Sequence, residues 1–145
     1  RGLGDVYKRQ VINLHTSYLP YNRGSSPNFF SFLENTPKGV TIHLMSAGLD
    51  EGDILCQREL HFDEEKETFA STYEALLQEI EKLFRENWQQ IREGSIIPVK
   101  QAGPVTYHRM KDLDAIREKV DFDWNMKIGD FKRAYEKAMR KDENS

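Results

Sequence analysis

Apolar side chains at Phe69, Tyr73, Leu76, Leu77, Ile80, Leu83, Phe84, Trp88 and Ile91 recur at three- and four-residue spacing until Gly94. That spacing predicts one long amphipathic helix over residues 67–94, with Gly94 as its stop. A helix with one apolar stripe has to bury it against another layer. The text just before it supplies that layer, because the period there is two. Val40, Ile42 and Leu44 alternate through residues 39–45, residues 53–60 read as a second strand, and the turn at 46–52 makes an antiparallel hairpin. Upstream, Val11-Ile12-Asn13-Leu14-His15 is a short apolar run that breaks into Pro, Asn and Gly, the pattern of a buried strand ending in a loop. Between them, Ser25-Ser26-Pro27 offers a helix N-cap with Pro in the first turn. A short helix through Phe29, Phe30, Phe32 and Leu33 follows and ends near Asn35-Thr36-Pro37. The expected fold class is therefore α/β, a mixed sheet with flanking helices.

After Gly94 the pattern weakens. Residues 96–99 and 103–107 suggest extended segments, and a polar, charged stretch from Lys111 carries a final helix near 128–139. A chain of 145 residues is one domain or part of one. Its formal net charge of -3 argues against a nucleic-acid binder working through a basic face. The single Cys56 excludes an intramolecular disulfide and a cysteine metal cluster, which fits a reducing compartment. No apolar run approaches the ~20 residues of a membrane-spanning helix and no signal peptide is visible, so a soluble cytoplasmic protein without membrane partners is expected.

Chemistry concentrates in two polar blocks. Asn13 and His15, two residues apart, point to the same side of a strand. They can converge on one reacting carbonyl, and a carboxylate from a second loop, Asp50, can orient the imidazole. In isolation such a pair can equally do no more than satisfy turn hydrogen bonds. His15, His43 and His61 lack metal-ligand spacing, and no metal is expected. His43, inside a strand, reads more readily as a hydrogen-bonded structural residue than as a site residue; His61 reads as a surface residue.

The wording of the two blocks is more specific. Asn13-Leu14-His15 runs into Ser17-Tyr18-Leu19-Pro20 and Arg23-Gly24; then come Gly39-Val40-Thr41 and Leu49-Asp50-Glu51-Gly52-Asp53. In order and spacing these resemble the formyl-tetrahydrofolate-dependent formyltransferases, well over residues 11–60 and weakly to about 110. Thr16 departs from the family's usual Pro, between the functional positions. The resemblance implies the C-terminal part of a Rossmann-like formyltransferase domain whose N-terminal half is missing. It implies a formyl donor, formyl-tetrahydrofolate, and a primary amine as acceptor. Asn13 would donate to the formyl oxygen. His15 would stabilise the oxyanion as an imidazolium and shuttle a proton, and Asp50 would pair with His15 and raise its pKa. Ser17, Tyr18, Leu19, Pro20, Ser46, Ala47, Gly48 and Leu49 would bind the folate, and Arg23 and Tyr107 would meet the substrate.

Among relatives, the segments 18–24, 26–30 and 106–109 look most like enzymes that formylate the amine of a nucleotide-linked amino sugar. Methionyl-tRNA and phosphoribosylglycinamide formyltransferases are the alternatives within the family, and a formyl-tetrahydrofolate hydrolase is the alternative of another class. Under the first of these the partner would be a tRNA; otherwise nucleic acid is not expected. Homo-oligomerisation is left open.

The first ten residues need separate treatment. Asp5-Val6-Tyr7-Lys8-Arg9-Gln10 resembles the in-frame translation of a transposon-end sequencing adapter ending GAT GTG TAT AAG AGA CAG, so residues 1–10 are expected to be a sequencing scar, the alternative being a natural basic N-terminal segment. The expected organisation is then a partial catalytic domain over 11–110 and a polar extension with a helix over 111–145. On this reading the chain alone is inactive, and the strand at 11–15 lacks some of its neighbours.

Overall fold

A computed structural model describes residues 11–144; the adapter-like decapeptide lies outside the described residues. The chain runs β1 (Ile12–His15), β2 (Arg23–Gly24), α1 (Pro27–Leu33), β3 (Lys38–Leu44), β4 (Ile54–Leu60), α2 (Phe69–Glu93), β5 (Tyr107–His108), α3 (Met110–Arg117) and α4 (Ile128–Glu143). β1, β3 and β4 form one antiparallel sheet in the order β1-β3-β4, and β2 pairs with β5 in parallel. Among the described residues no helix is long and apolar enough to cross a membrane.

β3 is the central strand, and its alternation sorts its residues between two tasks. Val40, Ile42 and Leu44 pack into a cluster with Leu55 and with Leu76, Ile80, Leu83 and Ile91 of α2. Each such burial is worth about 2 kcal/mol. The alternate residues Thr41 and His43 are as deeply buried, at 0% and 1% exposure. α2 starts where Thr68 and Ser71 form a reciprocal capping box, and it stops at Gly94 in the left-handed conformation (φ 71°).

Three sequence expectations need correction. The run at residues 11–15 is not a buried strand. Among the described residues β1 pairs with β3 alone, and Val11 and Leu14 are 67% and 40% exposed. Ser26 does occupy the N-cap of α1, but in the left-handed conformation (φ 53°, ψ 47°), and its side chain makes no capping bond. The chain has to turn sharply there, because the Ser25 amide is bonded to the His108 carbonyl one residue earlier. Finally, the charged stretch after Lys111 holds an additional helix, α3, and supplies much of a second core. Leu113, Val120, Ile128 and Phe131 pack with Phe29, Phe30, Phe32 and Phe69. Phe29 is ringed edge-on by Phe30, Phe122 and Phe131 at centroid distances of 5.0, 5.2 and 5.3 Å. Edge-to-face rings gain beyond their buried area.

Candidate active site

Register brings the polar groups together. Asn13 lies directly opposite His43 across the β1–β3 ladder, and His15 opposite Thr41. All four therefore project from one face of the sheet, away from the α2 core. A register shift between Ile42 and His43 in the β3–β4 pairing marks a bulge at this point. Bulges re-aim side chains and recur beside active sites.

Asp50, 7% exposed, closes the cluster from the loop between β3 and β4. Its Oδ1 lies 3.4 Å from Asn13 Nδ2, 3.5 Å from His43 Nε2 and 3.6 Å from His15 Nδ1. Its Oδ2 accepts the Gly24 amide at 2.9 Å. Asp50 adopts a left-handed conformation (φ 55°), which Asp tolerates better than most residues. Two glycines make room for this approach. A methyl on Gly24 (φ 89°) would overlap the His108 carbonyl, and one on Gly52 would overlap the Leu44 carbonyl.

Backbone carbonyls set both imidazole tautomers, because a carbonyl can only accept. His15 Nε2 donates to Asn22 O at 2.9 Å, and His43 Nδ1 donates to Leu44 O at 2.8 Å. In the neutral rings, His15 Nδ1 and His43 Nε2 then turn lone pairs toward one carboxylate oxygen. A single proton placed on either nitrogen converts a repulsive contact into a charge-assisted one. The cluster can therefore take up a proton.

The resting charge of His15 is set by its burial. Burial of the His15 ring outweighs the Asn22 carbonyl and the Asp50 carboxylate, both of which favour the cation, and His43 opposes it further, so the His15 pKa sits below the usual 6.5. Asp50 does act in the expected direction, favouring the cation, but desolvation is the larger effect and sets the net direction. For Asp50 burial acts upward, yet the His43 bond, the His15 ring and the Gly24 amide together hold its carboxyl below the ordinary carboxylate value. The site therefore rests as neutral imidazole beside carboxylate. Cys56 is no rival nucleophile, since burial pushes its thiol up to about 11.

A family model described as formyl transferase matches residues 3–87, more than half of the chain. The chain belongs to the formyl transferase family. The formyltransferase PseJ from Anoxybacillus kamchatkensis, solved with UDP-4,6-dideoxy-4-formamido-L-AltNAc and tetrahydrofolate, is 44% identical with a TM-score of 0.79, covering 88% of this chain and 66% of that one. The dTDP-4-amino-4,6-dideoxyglucose formyltransferase of Mycobacterium bovis is 33% identical over 108 residues, 74% of this chain and 46% of that protein. A methionyl-tRNA formyltransferase of Clostridium botulinum is 35% identical over 111 residues, 76% of this chain and 36% of its own length. The chain thus spans half or less of these two curated relatives.

Around this cluster the remaining expected residues fall into three groups. Ser17 and Leu19, 2% and 1% exposed, are bonded inward: Ser17 Oγ donates to Tyr21 O at 2.9 Å, and the Leu19 amide donates to Thr41 Oγ1 at 3.2 Å. Pro20 is buried, Tyr18 is half-buried, and the Leu19–Pro20 bond is cis. Ser46 and Ala47 are exposed, Gly48 is half-buried and Leu49 is 58% exposed, so this stretch lies open beside Asp50. Arg23 and Tyr107 are partners in the β2–β5 pairing and line a cavity of about 340 Å³ with Leu49, Glu51 and Val105. A larger cavity, about 480 Å³, lies among Asn28, Phe29, Tyr73, Leu77 and Trp124 and includes none of the cluster residues. His108 is committed to packing, stacked on Phe30 at 3.6 Å and bonded to Glu34 at 2.8 Å.

The residue undervalued in the sequence is His43. Its signal was present: in Val40-Thr41-Ile42-His43-Leu44 the apolar residues take one face and the polar ones the other.

Proposed function

We propose that this chain carries the reacting centre of an enzyme that moves a formyl group from formyl-tetrahydrofolate to the amine of a nucleotide-linked amino sugar. The observation that carries the reading is the convergence of Asn13, His15 and His43 on one oxygen of Asp50, at 3.4 to 3.6 Å, in a formyl transferase chain.

Formyl-tetrahydrofolate, when bound, supplies an activated carbonyl. Asn13 Nδ2 carries two N–H groups, turned here to His43 Nε2 and to Asp50 Oδ1 at 3.4 Å each, and one of them would turn to its oxygen. The amine that attacks must lose a proton; His15 Nδ1 would accept it and pass it to the folate nitrogen as that nitrogen's bond to the formyl carbon breaks. The ring is neutral at rest because it is buried, and the new cation lies against the Asp50 carboxylate. His43 Nε2 lies 3.5 Å from the same oxygen and accepts from Asn13 Nδ2, so it holds the amide beside the carboxylate. The exposed loop at 45–49, with Met45 and Leu49 50% and 58% exposed, offers apolar surface to a flat pterin beside these groups. The Arg23–Tyr107 cavity offers a cation and an aromatic ring, which suit a diphosphate and a nucleobase. The amino-sugar acceptor is favoured by the 44% identity to PseJ over 88% of this chain.

The test incubates the product of the complete open reading frame containing this sequence with formyl-tetrahydrofolate and a 4-amino-4,6-dideoxy sugar nucleotide, and follows the formamide by mass spectrometry. Formylated sugar, lost in His15→Ala and in Asp50→Asn by roughly 10²- to 10⁴-fold, is expected. Formylation of methionyl-tRNA instead would move the acceptor, and formate release without an acceptor would replace transfer by hydrolysis. Unchanged turnover in both variants would remove the mechanism.

A further inference from the structure

The Asp50 loop is not held by its own hairpin alone. An antiparallel bridge between Ile54 and Val99, with N–H···O distances of 2.7 and 2.9 Å, lays the segment after α2 along the start of β4. Two residues further on, the Gln101 side chain reaches the loop. Its Nε2 donates to Asp50 O and to Gly52 O, both at 2.8 Å. Its Oε1 accepts from Arg23 Nε at 3.2 Å and from Arg23 Nη2 at 2.9 Å.

A primary amide has two N–H donors and one oxygen with two lone pairs, so all four valences are used. The orientation of the amide is fixed as a result. Turning it over would set its oxygen against two carbonyls and its NH₂ against a guanidinium. One half-buried side chain thereby ties three segments together: the loop bearing Asp50, the β2 strand bearing Arg23 and Gly24, and its own. Gly24 is the residue whose amide holds Asp50 Oδ2. Gln101 thus fixes Asp50 from both sides, through the backbone carbonyl of Asp50 and through the strand that grips its carboxylate.

Asp50 needs such support. Its left-handed backbone is of itself unfavourable, and its Oδ1 stands 3.4 to 3.6 Å from three partners, distances at which small rotations decide whether contact is made. The same segment continues as a strap. Thr106 O accepts the Arg23 amide at 2.9 Å, and Thr106 Oγ1 accepts the Asn22 amide at 2.6 Å. Asn22 is the residue whose carbonyl orients His15.

We propose that Gln101 is a positioning residue of the formyl-transfer site: its amide clamps the Asp50 loop to Arg23 and so aims the carboxylate at His15 and His43. The inference rests on the formyl-transfer reading for its consequence in turnover, but not for its geometry. Gln101 touches none of the reacting groups itself.

Two variants test it. Gln101→Glu keeps the length and the Arg23 contact while turning a carboxylate toward two carbonyls; Gln101→Ala removes the clamp. In the 145-residue chain, the His15 imidazole is titrated by NMR. The midpoint is expected to fall in both variants, because the carboxylate that favours the cation swings away, and to fall less in Gln101→Glu, whose own new charge favours the cation. Loss of stability with an unmoved His15 midpoint would reduce Gln101 to a structural role and overturn the proposal. Should Gln101→Ala not fold, Gln101→Glu carries the titration. In the complete open reading frame product, kcat is expected to fall about a hundredfold in both variants, with KM for the formyl donor little changed. His15→Ala is assayed beside them. If His15→Ala is inactive while both Gln101 variants turn over like the parent, the clamp is overturned and the formyl-transfer reading stands. If His15→Ala is itself fully active, the formyl-transfer reading falls, and the NMR titration alone decides the clamp.

Discussion

Thr41→Val exchanges one hydroxyl for a methyl group. Valine has nearly the same shape and suits a strand at least as well, so neither cavity nor overpacking accompanies the change. The hydroxyl is fully buried and uses all of its bonding capacity. It donates to Ser17 O at 2.7 Å and accepts from the Leu19 amide at 3.2 Å and from Gln57 Nε2 at 3.1 Å. With valine, the Ser17 carbonyl and the Leu19 amide face a methyl group, and water has no path in. Each buried group left without a partner costs about 1–3 kcal/mol. Gln57 recovers part of the loss, since its amide also donates to Leu19 O at 3.2 Å. The net expectation is a destabilisation of about 3 kcal/mol, a large share of the 5–15 kcal/mol typical of a domain. Urea unfolding followed by the fluorescence of Trp88 and Trp124 measures it: the midpoint should fall with an unchanged slope. The thermal midpoint should drop by about 10 °C. Thr41→Ser, which keeps the oxygen, should cost about 1 kcal/mol. A loss below about 0.5 kcal/mol for Thr41→Val would refute the reasoning, because the 17–20 segment would then not hang on this oxygen.

Three further outcomes follow from the same geometry. Stability should decline on the acid side in two steps: folded His15 binds its proton less firmly than unfolded His15, so the loss begins as pH falls below 6.5, and Asp50, held below its ordinary value, adds a second loss as pH falls through 3.8. Thermal melts from neutral to acid pH check the first step, and His15→Asn should flatten it; a parent chain equally stable across that range would contradict the burial argument. Gly24→Ala should cost about 2 kcal/mol or more, because alanine meets both a positive φ and the His108 carbonyl; a urea midpoint like the parent's would show that the β2–β5 contact is looser than drawn. Phe131→Ala should cost about 3–5 kcal/mol, since its ring is 0% exposed among Phe29, Phe69 and Phe122; a loss under about 1 kcal/mol would mean that α4 is not docked.

Local signals accounted for most of the framework. The hairpin of β3 and β4 and the long α2 follow from period and punctuation, and their observed bounds lie within two residues of those read from the sequence. α3 was missed because only Leu113 and Ile116 mark its inner face, two residues in eight, too few for any period to show. The second core was undervalued for a related reason. Val120, Phe122, Ile128 and Phe131 are scattered among charges, and only docking onto the α1 phenylalanines makes them neighbours.

The site divides along the same line between local and non-local information. Asn13, His15 and Asp50 stand in a worded motif, and the polar face of β3 could be read from alternation. Which residue faces which is a matter of register, and that depends on a bulge at Ile42/His43 that no residue type announces. His43 therefore looked like a core histidine until it was set opposite Asn13. The balance at His15 is less local still. Its partners can be named from sequence, and both Asn22 and Asp50 favour the cation. The sign is nonetheless decided by how much chain covers the ring, a quantity contributed by every segment packed around it. A residue placed to accept a proton must rest without one. For the proton transfer proposed for His15, burial does that, and the carboxylate beside it would stabilise the proton once it has arrived.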